Sequence, residues 1–245
     1  MRRRLRAVWR LSRCVGHGLH GLALVVVSFP RLDRTQRHLR IQWWARKLLD
    51  VMGLDLRVQG DLAGGGTLLV ANHVSGLDIS ALHAVAPHAR FVSKSDVRQW
   101  PLLSRLAHAA DTLYLERERK RDALRVVHLI AQALSEGQTV AVFPEGTTSD
   151  GRSLLPFHAN LLQAAIASGR PVQPVALRFS DASEPISEAV EYVGETTLAQ
   201  SLWRVACSEG LVVWVSLLPP RPSHAQDRRE LAHALRGDIA AHLLP

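Results

Sequence analysis

Thr67-Leu-Leu-Val-Ala-Asn-His-Val-Ser-Gly-Leu-Asp78 decides the fold class. Thr67 to Ala71 is a short, almost wholly apolar run, the pattern of a strand covered on both faces. The run breaks into a polar turn at Asn72, and Ile79 to Val85 reads as a helix. Working outward, Arg90 to Ser93, Thr112 to Leu115, Thr139 to Phe143, Val172 to Phe179 and Leu211 to Leu217 read as further strands separated by helical stretches. The clearest helix covers Lys120 to Glu136, with Leu124, Val127, His128, Ile130, Ala131 and Leu134 as its stripe and Gly137 as its stop. Ser223, then Arg228, Leu231, Leu235 and Ile239, reads as the cap and stripe of a closing helix. This alternation predicts an α/β fold: a mixed, largely parallel sheet covered by helices, with its chemistry at the carboxyl ends of the strands.

The chain has 245 residues, 47% hydrophobic and 21% charged, which excludes disordered and collagenous classes. Cys14 and Cys207 are too far apart in sequence to form a disulfide framework, and a reducing compartment is expected. The net charge of +8 is uneven, because residues 1–50 carry 12 Lys and Arg against 2 Asp and Glu and leave the remainder slightly acidic. Within this basic arm, Leu5, Val8, Trp9 and Ser12 fall at helical spacing among arginines, as in a cationic amphipathic helix. Cys14 to Pro30 contains no Asp, Glu, Lys or Arg, and as a helix would reach roughly 25 Å, just short of a hydrocarbon core. Ile41, Trp44, Ala45, Leu48 and Leu49 form a third apolar face beside Arg40, Arg46 and Lys47. The reading is a division into membrane-anchoring helices over 1–50, single-pass or monotopic, and a catalytic domain over 51–245. Interleaved tryptophans and aliphatics, and the acidic body, argue against a nucleic-acid partner.

Four strand ends carry candidate chemistry. His73 and Asp78 are five residues apart, so in one continuous helix their side chains would diverge by about 140°. The turn has to bend, which Gly76 permits, and Asp78 as a helix cap would bring its carboxylate back to the His73 ring. A carboxylate on one ring nitrogen leaves the other free to take a proton from a hydroxyl. A capping Asp beside an exposed His gives the same spacing. Phe143-Pro-Glu-Gly-Thr-Thr-Ser149 ends a strand with Glu145 to accept a polyol hydroxyl, Gly146 for close backbone approach to an anion, and Thr147 among three hydroxyls. Asp111-Thr-Leu-Tyr-Leu-Glu-Arg117 ends a strand with an arginine suited to phosphate, and Lys94 ends another. No His-Glu-x-x-His and no clustered cysteines appear; no metal is expected, and His17 and His20 read as interfacial.

Together these blocks resemble the glycerolipid acyltransferase family, which includes the bacterial 1-acyl-glycerol-3-phosphate acyltransferases. Asn72-His73 with Asp78 is similar to its first block, the stretch ending at Arg117 to its second, Phe143 to Thr147 to its third, and Val172-Gln-Pro-Val-Ala176 to its fourth. The resemblance implies the glycerol-phosphate acyltransferase fold and acyl transfer from acyl-CoA or acyl carrier protein, as donor substrate rather than cofactor, to a lysolipid hydroxyl at the cytoplasmic face of the inner membrane. It also implies His73 as base, Asp78 as its orienter, and Arg117, Glu145, Gly146, Thr147, Asn72 and Lys94 around the acceptor. The expected acceptor is 1-acyl-glycerol-3-phosphate, acylated at its sn-2 hydroxyl to phosphatidic acid for phospholipid biosynthesis, because Arg117 is retained. Asp111 stands where the family has Gly, and Phe157-His-Ala-Asn160 where many members have Lys and Gly. Those departures keep open a lyso-aminolipid, such as a lyso-ornithine lipid, or another lysophospholipid. A membrane lipid-binding protein is the non-enzymatic alternative.

Overall fold

The computed structural model describes residues 1–94, 101–115 and 120–243. Leu68–Ala71, here β2, is buried at every position and lies parallel between two other strands. The others are β1 (Leu54–Gln59), β3 (Arg90–Lys94), β4 (Leu113–Leu115), β5 (Val140–Val142), β6 (Val172–Ser180) and β7 (Leu211–Leu217). The seven run in the order β1-β7-β6-β2-β5-β3-β4. Five are mutually parallel; β7 pairs antiparallel with β6 and carries β1 parallel to itself. Five of the six expected strands lie within a residue or so of their predicted bounds, and β7 matches them. β1 was not anticipated: it is an edge strand, mostly exposed, and lacks the apolar run that marked the others.

Pleating divides β2 between two cores, because successive side chains point to opposite faces. Leu69 and Ala71 join a cluster with Leu49, Met52, Leu82, Phe179 and Val205, beneath α2 (Arg34–Met52), α3 (Leu77–Val85) and α7 (Leu198–Cys207). Leu68 and Val70 join Ile130, Leu134, Leu162 and Leu235, beneath α5 (Lys120–Ser135), α6 (Gln163–Ser168) and α8 (Arg228–Ala240). A further helix, α4 (Pro101–Ala109), precedes β4.

Two helix readings are corrected in detail. On α5 the burial falls on Val126, Ile130, Ala133 and Leu134, while Leu124 is 72% exposed and His128 lies on the outer face. On α8 the cap is Asp227, whose side chain accepts from the Arg229 and Glu230 backbone N–H groups at 2.7 and 3.2 Å. Ser223 is instead buried, and its hydroxyl donates to the carbonyls of Ala165 and Arg170.

The N-terminal arm is a helical hairpin laid on the body. α1 (Arg2–Ala23) runs on through a π turn (Leu24–Ser28) and a 3-10 turn (Phe29–Arg31). Asp33 and Gln36 then form a capping box that starts α2. Arg2–Arg31 is long and apolar enough to cross a bilayer, and little of its most apolar stretch is buried. Yet α1 is attached along its length. Arg6 donates to the Cys207 carbonyl and Arg10 to those of Ala206 and Ser208, meeting the carbonyls at the end of α7. Arg6 also pairs with Glu209. His17 stacks on Trp44 with ring centroids 4.8 Å apart, its Nε2 bonded to the Trp44 carbonyl while Trp44 Nε1 donates to the His17 carbonyl. At Gly21 a Cβ would sit 2.6 Å from Trp44 Nε1, so only glycine allows the two helices this close. Residue 50 lies inside α2, and Ala7, Ala45 and Leu49 belong to the core cluster of the sheet.

His83 on α3 is buried against Phe91, and its Nδ1 has no partner among the described residues. Burial, reinforced by His38, drives its imidazole down to about 4 from the usual 6.5, and His38 and His88 shift in the same direction. A lowered histidine takes up protons in the unfolded chain that the folded state refuses, so stability falls as pH drops through this range and is insensitive to it above. The melting temperature is expected to fall between pH 6.5 and about 4, and His83→Leu to flatten that slope; an unchanged slope counts against this assignment.

Candidate active site

The turn after β2 carries His73 and Asp78, and the loop after β5 closes over it. Asp78 lies in the first turn of α3, fully buried, and points back at the residues before the helix. Its Oδ2 accepts from His73 Nδ1 at 2.7 Å, from the Val74 N–H at 2.7 Å and from the Ser75 N–H at 2.9 Å. The contact expected between His73 and Asp78 is present, but its route differs: Asp78 caps no helix, and Gly76 sits in ordinary right-handed geometry at φ −58°. The bend comes from Asp78 gathering the loop's own N–H groups.

The carboxylate oxygen can only accept, so Nδ1 carries the proton and Nε2 presents its lone pair. Three further contacts fix the ring. Glu145 Oε1 accepts from the His73 N–H at 2.7 Å, the Ser149 N–H donates to the His73 carbonyl at 2.8 Å, and Phe143 stacks on the imidazole at 4.2 Å and 16°. The β5 loop therefore holds His73 at its amide, its carbonyl and its ring face. The imidazole stays partly open to solvent. In the sequence Phe143 is a strand end and Ser149 one of three hydroxyls; an aromatic at a strand end carries the same pattern as a core residue, so no sequence signal separates it.

Several expected acceptor contacts occupy other positions. Asn72 is fully buried, and its amide bonds both the N–H and the carbonyl of Leu177, tying the end of β2 to β6. Glu145 is 3% exposed, with Oε2 accepting from the Leu155 N–H at 2.9 Å, so both of its oxygens are engaged by backbone. Burial pushes the Glu145 carboxyl above its ordinary value, and those two N–H donors oppose the rise. The Gly146 N–H donates to the Phe143 carbonyl, and its φ of +73° requires glycine in this tight turn. Thr147 is exposed at the mouth of the loop. Lys94 ends β3 on the carboxyl side of the sheet; its side chain, and all of Arg117, lie outside the described residues.

Asp111 is exposed, and its carbonyl accepts from Arg90 at the start of β3. That is the amino end of the parallel strands, opposite His73, so its charge does not face the His73 imidazole. The exposed His158 precedes a 3-10 turn (Ala159–Leu162) that contains the exposed Asn160, with the His158 N–H on the Pro144 carbonyl. Among the described residues no group of three or more His, Cys, Asp or Glu is placed to hold a metal ion.

A basic imidazole held in one tautomer on a rigid loop can deprotonate a hydroxyl. The family model "Acyltransferase" matches residues 50–178, the segment that carries this geometry. The chain belongs to the acyltransferase family. This acyltransferase is 38% identical over 235 residues to the lyso-ornithine lipid O-acyltransferase of Pseudomonas aeruginosa, covering 94% of this chain and 90% of that one. It is 35% identical over 177 residues to the 1-acyl-sn-glycerol-3-phosphate acyltransferase of Neisseria meningitidis, covering 72% and 69%. The crystal structure of the 1-acyl-sn-glycerophosphate (LPA) acyltransferase PlsC from Thermotoga maritima superposes with a TM-score of 0.74 at 19% identity, covering 99% and 95%, which shows the shared fold. The protein is an O-acyltransferase of the PlsC-like family, acting on a lysolipid acceptor with an acyl-thioester donor. Its apolar N-terminal helix supports membrane association.

If the loop contacts orient the base, Glu145→Gln leaves one of two buried N–H groups facing an amide NH₂ and costs about 1–3 kcal/mol of stability. It should lower kcat more than it raises either KM, because the base is displaced while acceptor contacts remain. A change confined to the acceptor KM would instead make Glu145 a substrate ligand.

Proposed function

We propose that this acyltransferase esterifies the free hydroxyl of a lyso-aminolipid of the lyso-ornithine class. The observation that carries the acceptor is the similarity to the Pseudomonas aeruginosa enzyme, which runs over nearly the whole of both chains. Lysophosphatidic acid, placed first from the sequence, is the second reading, favoured by the Neisseria relatives over a shorter span. Retention of Arg117 does not separate the two, because a guanidinium fork suits the carboxylate of an amino-acid headgroup as well as a phosphate.

In the reaction, His73 Nε2 removes the acceptor hydroxyl proton as the oxygen attacks the thioester carbonyl. The tetrahedral centre collapses by breaking the C–S bond, and the thiolate takes the proton back from the imidazolium. Asp78 stabilises that imidazolium and fixes its tautomer, and Glu145, Ser149 and Phe143 hold the ring in place. Arg117, Lys94 and Thr147 are the candidates for the acceptor headgroup. Acyl-CoA and acyl carrier protein both supply the required thioester.

The N-terminal hairpin seats the enzyme in one leaflet at the cytoplasmic face. Ala7, Arg10, Cys14, His17 and Gly21 form the inward stripe of α1, while Leu5, Val8, Trp9, Val15 and Leu19 form an exposed one on the opposite side. Leu39 and Trp43 of α2 are exposed as well. A helix tied to α7 at one end and Trp44 at the other lies along the interface, a monotopic arrangement. Residues 1–50 thus anchor the catalytic part.

Purified enzyme on vesicles should acylate lyso-ornithine lipid with a higher kcat/KM than lysophosphatidic acid, and His73→Ala should remove about 10²- to 10⁴-fold of kcat while the protein stays folded. Preference for lysophosphatidic acid would select the second reading, and undiminished turnover without the ring would exclude the mechanism. For the anchor, single cysteines at positions 2 and 33 should both be labelled by an impermeant maleimide from the cytoplasmic side; labelling from opposite sides would mean a crossing helix.

A further inference from the structure

A cavity lies away from His73, at the open edge of the sheet. It encloses about 810 Å³, within the roughly 300–1,000 Å³ typical of small-molecule sites. β4 is an edge strand three places from β2, which sets the cavity beyond roughly 14 Å of sheet from the strand that carries His73. Its wall is mixed: Val25 from the π turn after α1, Leu113 of β4, and Val126 and Leu129 of α5 supply the apolar part, and Ser104, His108, Thr112 and Tyr114 the polar part. Its rim is cationic, with Arg105 of α4 and Arg125 of α5 both exposed and without an ion-pair partner among the described residues.

Apolar wall residues beneath two exposed guanidinium groups complement an amphiphile with an anionic head: the chain removes apolar surface from water, and the head accepts charge-assisted hydrogen bonds. The position of the mouth indicates where that amphiphile comes from. Val25 lies in the same helical run as Val26 and Val27, which are 62% and 57% exposed, so the mouth adjoins the stretch assigned to the bilayer. Leu124, next to Arg125, is also exposed. We propose that this cavity is a second lipid site, separate from the reacting centre, that takes an anionic phospholipid from the host leaflet with its headgroup at Arg105 and Arg125 and its chain along α5. The proposal rests on the membrane-facing reading of α1.

The test uses the full chain on phosphatidylcholine vesicles containing a photoactivatable phosphatidylglycerol or, in parallel, a matched photoactivatable phosphatidylcholine, with crosslinked peptides identified by mass spectrometry. The anionic probe should label α4 and the Leu124 to Leu129 part of α5 several-fold more than the neutral one. Arg105→Glu with Arg125→Glu should reduce that labelling several-fold while vesicle flotation and labelling of α1 persist, so detachment or unfolding does not explain the loss. Leu129→Trp, which fills the apolar end and spares the rim, should reduce it too, and His73→Ala should not. Excess inorganic phosphate should leave the labelling in place; if phosphate alone abolishes it, the site is for a free anion and the lipid assignment is wrong. Equal labelling by both probes, or labelling indifferent to the charge reversal, also overturns the proposal. If the protein does not float, the membrane reading of α1 fails on its own account. The same probe in neutral detergent micelles then decides the cavity: selective labelling of α4 and α5 supports it, and none overturns it.

Discussion

The hydrogen bond between His73 Nδ1 and Asp78 Oδ2 is the constraint around which this end of the molecule is arranged. Asp78 is fully buried, and a buried carboxylate is costly unless its oxygens find donors. One oxygen collects three, two from the loop backbone and one from the imidazole. The same atom therefore shapes the turn after β2 and sets the tautomer of its histidine. Loop conformation and the histidine's tautomer cannot vary independently here.

Around that bond, charged and amide side chains serve mainly as braces. Asn72 extends the β2–β6 pairing by one more pair of hydrogen bonds, and Glu145 spans the amides of His73 and Leu155. Their burial explains why polar residues of this kind appear beside His73. The loop backbone after a strand end has unpaired N–H and carbonyl groups, and side chains must satisfy them if the loop is to be rigid. Further out at the carboxyl side, Thr147 is exposed and β3 ends in Lys94.

The N-terminal hairpin combines two roles on one helix. The inward stripe of α1 is held by arginine contacts to the end of α7 and by the His17–Trp44 stack, while its outward stripe keeps large apolar side chains exposed. Soluble domains leave few such contiguous apolar surfaces uncovered. Arginines that the sequence presents as one basic arm divide accordingly: Arg6 and Arg10 grip the protein's own carbonyls, and Arg2 to Arg4 stay exposed.

Much of this was legible in the sequence, for identifiable reasons. Leu68 to Ala71 and Val140 to Val142 read as strands because strands buried on both faces are continuously apolar, and the loops that follow them held the reactive residues because strand ends are where backbone geometry opens. The pairing of His73 with Asp78 was legible as a requirement that the turn bend. What stayed hidden depended on partners distant in sequence: β1, whose strand state comes from β7; the Glu145 contact, made 72 residues from its partner; and the antiparallel reversal at β7. Residue type and spacing determined which groups could do chemistry and which runs would be buried, since both follow from local periodicity. Only the tertiary structure decided which polar groups face a substrate and which hold backbone, because that depends on where another segment's unpaired N–H and carbonyl groups come to lie, and no local pattern encodes it.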